Sequence, residues 1–184
     1  MNLNNIKKKI MIKKVKFVSP ILFLFIGISC SQNTTQPIIL TTFEQQTFVA
    51  KVIRIIDGDT MEVLYEETPI KIRLAHIDCP EKRGKQPFGN QAKIALSDLC
   101  FGQNVTIYGE NYDRYNRLIA VIVNENKQQV NQELVKQGMA WHFKKYSTNQ
   151  TYHQLELEAR KSRIGLWKDA NPIAPWKWRK NNTL

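Results

Sequence analysis

Ile55-Ile56-Asp57-Gly58-Asp59-Thr60 is followed at short range by Ile70-Lys71-Ile72-Arg73-Leu74 and then by His76-Ile77-Asp78-Cys79-Pro80-Glu81. The first run ends in an Asp-Gly turn signal, the second alternates apolar and basic residues, and Pro80 stops whatever strand precedes it. Pairing of these apolar runs as neighbouring strands brings Asp59, near the start of one, toward Asp78 and Glu81, just past the end of the next. Arg73 lies in the same strand pair. Oxygen ligands clustered beside a guanidinium suit a hard divalent cation and a phosphodiester alike.

Working outward, Thr47–Ile55 is β-branched and roughly alternating, which predicts a strand. Further strands are expected at Thr60–Tyr65, Ile70–Ile77, Val105–Tyr108 and Leu118–Val123, with the polar loop Gly109–Arg117 between the last two. Ala92, Leu96, Leu99 and Cys100 share one helical face after Pro87, with Gly102 placed to end that helix. Two more helices are expected at Val130–Gln137 and His153–Ser162. Too few crossover helices are present for an all-parallel sheet, so the expected fold is α+β: a five-stranded Greek-key barrel of the OB type with about three helices. Pro172-Ile173-Ala174-Pro175-Trp176-Lys177-Trp178-Arg179 reads as irregular.

The chain of 184 residues carries a formal charge of +11. Six lysines, Lys7, Lys8, Lys9, Lys13, Lys14 and Lys16, precede Cys30 and no acid does; without them 21 basic residues face 16 acidic ones. That balance favours a polyanionic partner over an acidic one. The basic start leads into the apolar run Phe17–Ile28, shorter than the ~20 residues a membrane-spanning helix needs. Ser29-Cys30 and a polar stretch follow, a pattern similar to a bacterial lipoprotein signal with Cys30 as the lipidated residue. Gly27 stands where such signals usually carry Leu, and ordinary secretion and an uncleaved anchor are the other readings. The expected organisation is therefore a signal over residues 1–29, a linker over 30–45, a folded domain over 46–168 and a basic, Trp- and Pro-containing tail over 169–184. An exported setting permits disulfides; Cys79 and Cys100 are read as two buried free thiols, with a bridge between them as the alternative.

Ile56-Asp57-Gly58-Asp59-Thr60, Arg73-Leu74 with Ile77-Asp78-Cys79-Pro80-Glu81, and Asp113-Arg114-Tyr115-Asn116-Arg117-Leu118 resemble, in order, three signature stretches of the staphylococcal nuclease (thermonuclease) family. The likeness runs on through Val130–Ala140 and spans roughly Val49 to Trp167. It implies a Ca2+-dependent nuclease acting on DNA and also RNA, leaving 3′-phosphate and 5′-hydroxyl ends, and working as a monomer. Asp59, Asp78 and the backbone carbonyl of Cys79 match the calcium ligands. Glu81 matches the general base, and Arg73 and Arg117 match the two arginines that grip the phosphate through the planar guanidinium fork. Tyr115 and Tyr146 fall in line with aromatics of the nucleotide pocket, whereas Lys144 stands where a second tyrosine is expected.

Other residues read more plainly. Asp57 is either a turn former or a site residue. His76, His142 and His153 show no ligand-like spacing, and Trp141, Trp167, Trp176 and Trp178 read as packing residues. Asn116 replaces a turn glycine, Cys79 replaces a threonine, and the loop Lys82–Gln86 is shorter than in the staphylococcal enzyme. The rival reading is a non-catalytic single-stranded nucleic-acid-binding OB module, which would be expected to have lost the acids and arginines that are all present here.

Overall fold

A computed structural model describes residues 43–182; the signal segment, Cys30 and most of the linker lie outside the described residues. Strand β1 (Thr47–Asp57) pairs antiparallel with β2 (Thr60–Tyr65), and β2 with β3 (Thr68–Leu74). The chain then forms β4 (Ile77–Asp78), helix α1 (Gly89–Cys100), β5 (Asn104–Tyr112) and β6 (Leu118–Val123). β6 lies parallel to β3 and antiparallel to β5, which returns to β1, so the order β1-β2-β3-β6-β5 closes a barrel. Closure leaves the five strands no free edge. Helix α2 (Val130–Lys136), the short strand β7 (Trp141–His142), α3 (Gln150–Lys161), a 3-10 turn (Gly165–Lys168) and α4 (Pro175–Asn182) complete the chain.

Alternation sends one face of each strand inward. Val52, Met61, Val63, Ile72, Leu74, Val105, Ile107, Leu118, Ala120 and Ile122 fill the barrel, and Ala92, Leu96 and Cys100 of α1 close one end. Asn131 of α2 is fully buried. Its Oδ1 accepts the Ile122 N–H at 3.0 Å, and its Nδ2 donates to the carbonyls of Ala75 and Ala120 at 3.0 and 3.1 Å. A buried amide with three partners escapes the desolvation cost of an unsatisfied one and locks α2 to the chain just after β3.

The expected barrel and its strand order are present, with three differences. The third strand stops at Leu74, because His76 adopts φ 67° and turns the chain before β4, which pairs with β7. The expected loop Gly109–Arg117 begins later than expected: β5 runs to Tyr112 across a register shift at Gly109/Asn111, and only Asp113–Arg117 form the loop. Gly109 is needed there, since a Cβ would lie 2.2 Å from the Phe43 carbonyl. The Pro172–Arg179 stretch, expected to be irregular, contains the fourth helix. Pro175 begins α4, a position where its missing N–H costs nothing, and Trp176 packs against Trp141 at 5.6 Å and stacks on Phe143 at 5.3 Å.

Candidate active site

Asp59, Arg73, Asp78, Glu81 and Arg117 line one cavity of about 710 Å3 at the mouth of the barrel, together with Asp57, Tyr115, Tyr146 and Arg179. The tight turn between β1 and β2 supplies Asp57 and Asp59. A Cβ on Gly58 would sit 2.7 Å from the Ala92 Cβ and 2.8 Å from the Cys79 Cβ, so only glycine lets α1 and the β4 exit approach this turn. Asp59 accepts the Cys79 N–H at 2.9 Å through Oδ2 and the Thr60 hydroxyl at 3.0 Å through Oδ1. The acid of the first turn thereby fixes the backbone of the segment that carries Asp78 and Glu81.

Arg73, at the end of β3, holds the two aspartates together: its Nη2 lies 3.1 Å from Asp59 and 2.9 Å from Asp78. Arg117 precedes β6. Its Nε donates to Asp113 Oδ2 at 2.8 Å, and its own N–H and that of Tyr115 both donate to Asp113 Oδ1. Asn116 takes φ 58° in this turn, as the glycine replacement requires. Tyr115 is 63% exposed, with the Arg114 and Arg117 guanidinium groups 4.8 and 5.4 Å from its ring centre. Tyr146, 69% exposed, stands edge-on to Phe143 at 4.9 Å across the same cavity.

Glu81 is held through its backbone. Its N–H donates to the Gln86 side chain at 2.9 Å, its carbonyl accepts from the Gln86 N–H at 3.1 Å, and Gly89 passes so close that a Cβ would lie 2.4 Å from that carbonyl. The Gln86 amide also donates to the Ile173 carbonyl at 2.7 Å, tying the loop to the chain before α4. Gln86 and Arg179 are the residues that sequence reading missed. Arg179 of α4 donates to Glu81 Oε1 and spans Asp78, with Nη2 2.8 Å from Oδ2 and Nη1 3.2 Å from Oδ1. The available signal was an arginine at the end of a Trp-rich, proline-started segment, but nothing local to it points to an acid about a hundred residues upstream.

The acids outweigh their partners. Burial pushes the Asp78 carboxyl up to about 6, against the opposing pull of Arg73 and Arg179. Burial likewise raises Asp57 and Glu81 above the usual carboxylate range. For Arg73, burial favours the neutral form, but the charges of Asp59 and Asp78 more than reverse this and its pKa is raised. The buried carboxylates of Asp59 and Asp78 meet on either side of the Arg73 guanidinium, and with the Cys79 carbonyl they make the all-oxygen donor set that fits calcium by chemistry. Cys79 and Cys100 are both free thiols. Cys79 Sγ donates to the Gly58 carbonyl and Cys100 Sγ to the Leu96 carbonyl, so the bridge weighed above does not form.

A closed five-stranded barrel with acids and arginines gathered at its mouth defines a small phosphodiesterase of the nuclease type. The family described as staphylococcal nuclease homologue matches residues 71–169, and the chain belongs to it. A Haemophilus influenzae protein named as an uncharacterized endonuclease is 42% identical over 79% of this chain and 81% of its own length. One of the same name from Escherichia coli O157:H7 is 37% identical over 78% and 95%. The micrococcal nuclease of Shigella flexneri is 39% identical over 72% and 81%. The protein is a nuclease.

Proposed function

We propose that this nuclease is calcium-dependent, cleaves DNA and RNA to 3′-phosphate and 5′-hydroxyl ends, acts as a monomer, and is exported and held to the cell envelope by a lipid on Cys30. The observation that carries the catalytic part is the meeting of Asp59, Arg73, Asp78, Glu81 and Arg117 in one cavity.

Asp59, Asp78 and the Cys79 carbonyl would hold the ion, which when bound supplies positive charge against a phosphate oxygen. Arg73 faces that same position from β3 and offers its fork to the phosphate. Arg117, oriented by Asp113 in a pair at 2.6 Å, approaches from the β6 side, so the two guanidinium groups can share the charge that builds on the equatorial oxygens. Glu81, raised in pKa by burial, takes a proton from the attacking water. The water oxygen bonds to phosphorus as the bond to the 5′-oxygen breaks, and that oxygen takes a proton from solvent water and leaves as a hydroxyl. Tyr115 and Tyr146 offer exposed ring faces at the cavity rim for bases.

The test is cleavage of naked DNA by the chain from Leu40 onward, which forms one compact unit. Cutting that requires calcium, stops with chelator and leaves 3′-phosphates is the expected result. Salt-sensitive binding of single strands without cutting would instead favour the non-catalytic OB module.

A further inference from the structure

His142 of β7 and His153 and Glu156 of α3 offer three ligand atoms that all lie within 4.8 Å of one another, the only such group of His, Cys, Asp and Glu among the described residues. We propose that these three residues bind a divalent transition-metal ion of the zinc class, at a site separate from the nuclease carboxylates.

The first argument is the hydrogen-bond chain behind His142. His76 Nε2 lies 3.2 Å from Glu110 Oε1, which can only accept, so His76 carries its proton there. In the neutral form of His76, its Nδ1, 3.0 Å from Ser147 Oγ, accepts the one hydroxyl proton of Ser147. Ser147 Oγ also lies 3.0 Å from His142 Nε2, and with its proton already given it must accept from that nitrogen. By this assignment of tautomers His142 Nδ1 bears a bare lone pair. It is buried and has no hydrogen-bond partner, and His153 Nδ1 is likewise buried and unpartnered. A buried lone pair without a donor is costly unless something fills the place. A neutral imidazole fixed through its far nitrogen is the form in which histidine ligates metals.

The second argument concerns Glu156, whose side chain is 2% exposed. Arg160 pairs with Oε1 at 2.9 Å, while only the more exposed Lys144, at 3.5 Å, approaches Oε2. A metal would take Oε2, leave Arg160 to orient the carboxylate, and return Lys144 to solvent. Two imidazoles and one carboxylate are the donor set of zinc rather than of calcium, whose ligands are oxygens. Ligand atoms on a tetrahedral ion stand about 3.3 Å apart given metal bonds of roughly 2.0–2.2 Å, so modest side-chain rotation closes the group. The cavity of about 510 Å3 lined by His142, Lys144 and Glu156 gives an entry path. Because β7 pairs with β4, with Ile77 opposite His142 and Asp78 opposite Trp141, the ion would tie α3 to the ribbon that carries Asp78.

The experiment titrates Co2+ and then Zn2+ into the chain from Leu40 onward, with His153→Ala and Asp59→Asn as paired variants. His153 is only partly buried, so its truncation should leave the fold intact; melting in EDTA within a degree or two of the parent checks this. The expected result is one equivalent of Co2+ with visible d–d absorption, displaced by Zn2+, kept in Asp59→Asn and weakened at least roughly 100-fold in His153→Ala. Zinc should raise the melting temperature of the parent and not of His153→Ala. Binding that survives in His153→Ala but is lost in Asp59→Asn would put the ion at the nuclease carboxylates and overturn the proposal, as would no saturable binding below millimolar metal. Calcium-dependent cutting by His153→Ala is read separately, so failure of this site is distinguishable from failure of the nuclease reading.

Discussion

Each charged residue of the nuclease site has a partner that sets its geometry, so conservative substitutions separate binding from chemistry. Glu81→Gln preserves shape and the backbone clamp by Gln86 but removes the proton acceptor. Turnover should fall by roughly 10²-fold or more while DNA affinity barely moves. Arg117→Lys keeps the charge but loses the two guanidinium contacts to Asp113 Oδ2, and should depress turnover more than ground-state binding. Both variants cutting like the parent would place the chemistry elsewhere. Asp78 carries a pH signature. Its carboxyl titrates near 6 in the fold, above the ordinary 3.8, so without calcium the folded protein binds its proton more tightly than the unfolded chain does. That contribution favours folding below about pH 4 and is lost as pH rises through 6. Calcium requires the ionised form, so the rise in melting temperature on adding calcium should be larger at pH 7.5 than at pH 5. An equal rise at both would show that Asp78 is not a ligand.

At the scale of elements, what could be read in the sequence was what is local. The strands β1, β2, β3 and β6 and the faces of α1 and α2 follow from periodicity, and the turn at Gly58 from Asp-Gly chemistry. Two-residue strands such as β4 and β7 are too short to show any period, so the ribbon that presents Asp78 and His142 was invisible. Asp59, Arg73, Asp78 and Glu81 could be named because they lie within short stretches near strand ends, whereas Arg117 was named only through the family resemblance of its loop. Gln86 and Arg179 could not, since their partners are fixed by tertiary packing: Trp176 docked on Trp141 and Phe143 aims α4 at the cavity. The histidine–glutamate group escaped for the same reason, being split between β7 and α3. Arg179 yields a prediction at this scale. Its guanidinium neutralises Asp78 and Glu81 from α4, and removing one positive charge from a carboxylate cluster strengthens the attraction for a divalent cation. Arg179→Ala should therefore lower the calcium needed for half-maximal cutting several-fold at pH 8, and a chain ending before Pro175 should do the same. A higher calcium requirement in both would mean that α4 builds the ion site and does not compete for it.

At the scale of the whole molecule, the proposed lipid anchor makes a prediction about where the nuclease is held. Among the described residues no helix is long and apolar enough to cross a membrane; the proposed anchor rests on the segment ahead of Phe43. There the six lysines, the apolar run Phe17–Ile28 and Ser29-Cys30 supply the elements of a lipidation signal. The polar, Thr- and Gln-rich residues 31–42 are composed as a tether. A single acyl chain gives only marginal membrane binding, whereas a multiply acylated cysteine holds stably. The parent should therefore fractionate with membranes and yield a mature mass that starts at a lipid-modified Cys30. Cys30→Ala should leave the signal uncut or release the protein, with unchanged specific activity on naked DNA because the nuclease residues all follow Thr47, the start of β1. Intact-mass analysis showing unmodified residues upstream of Cys30 in the mature parent would overturn the anchor while leaving the nuclease site untouched.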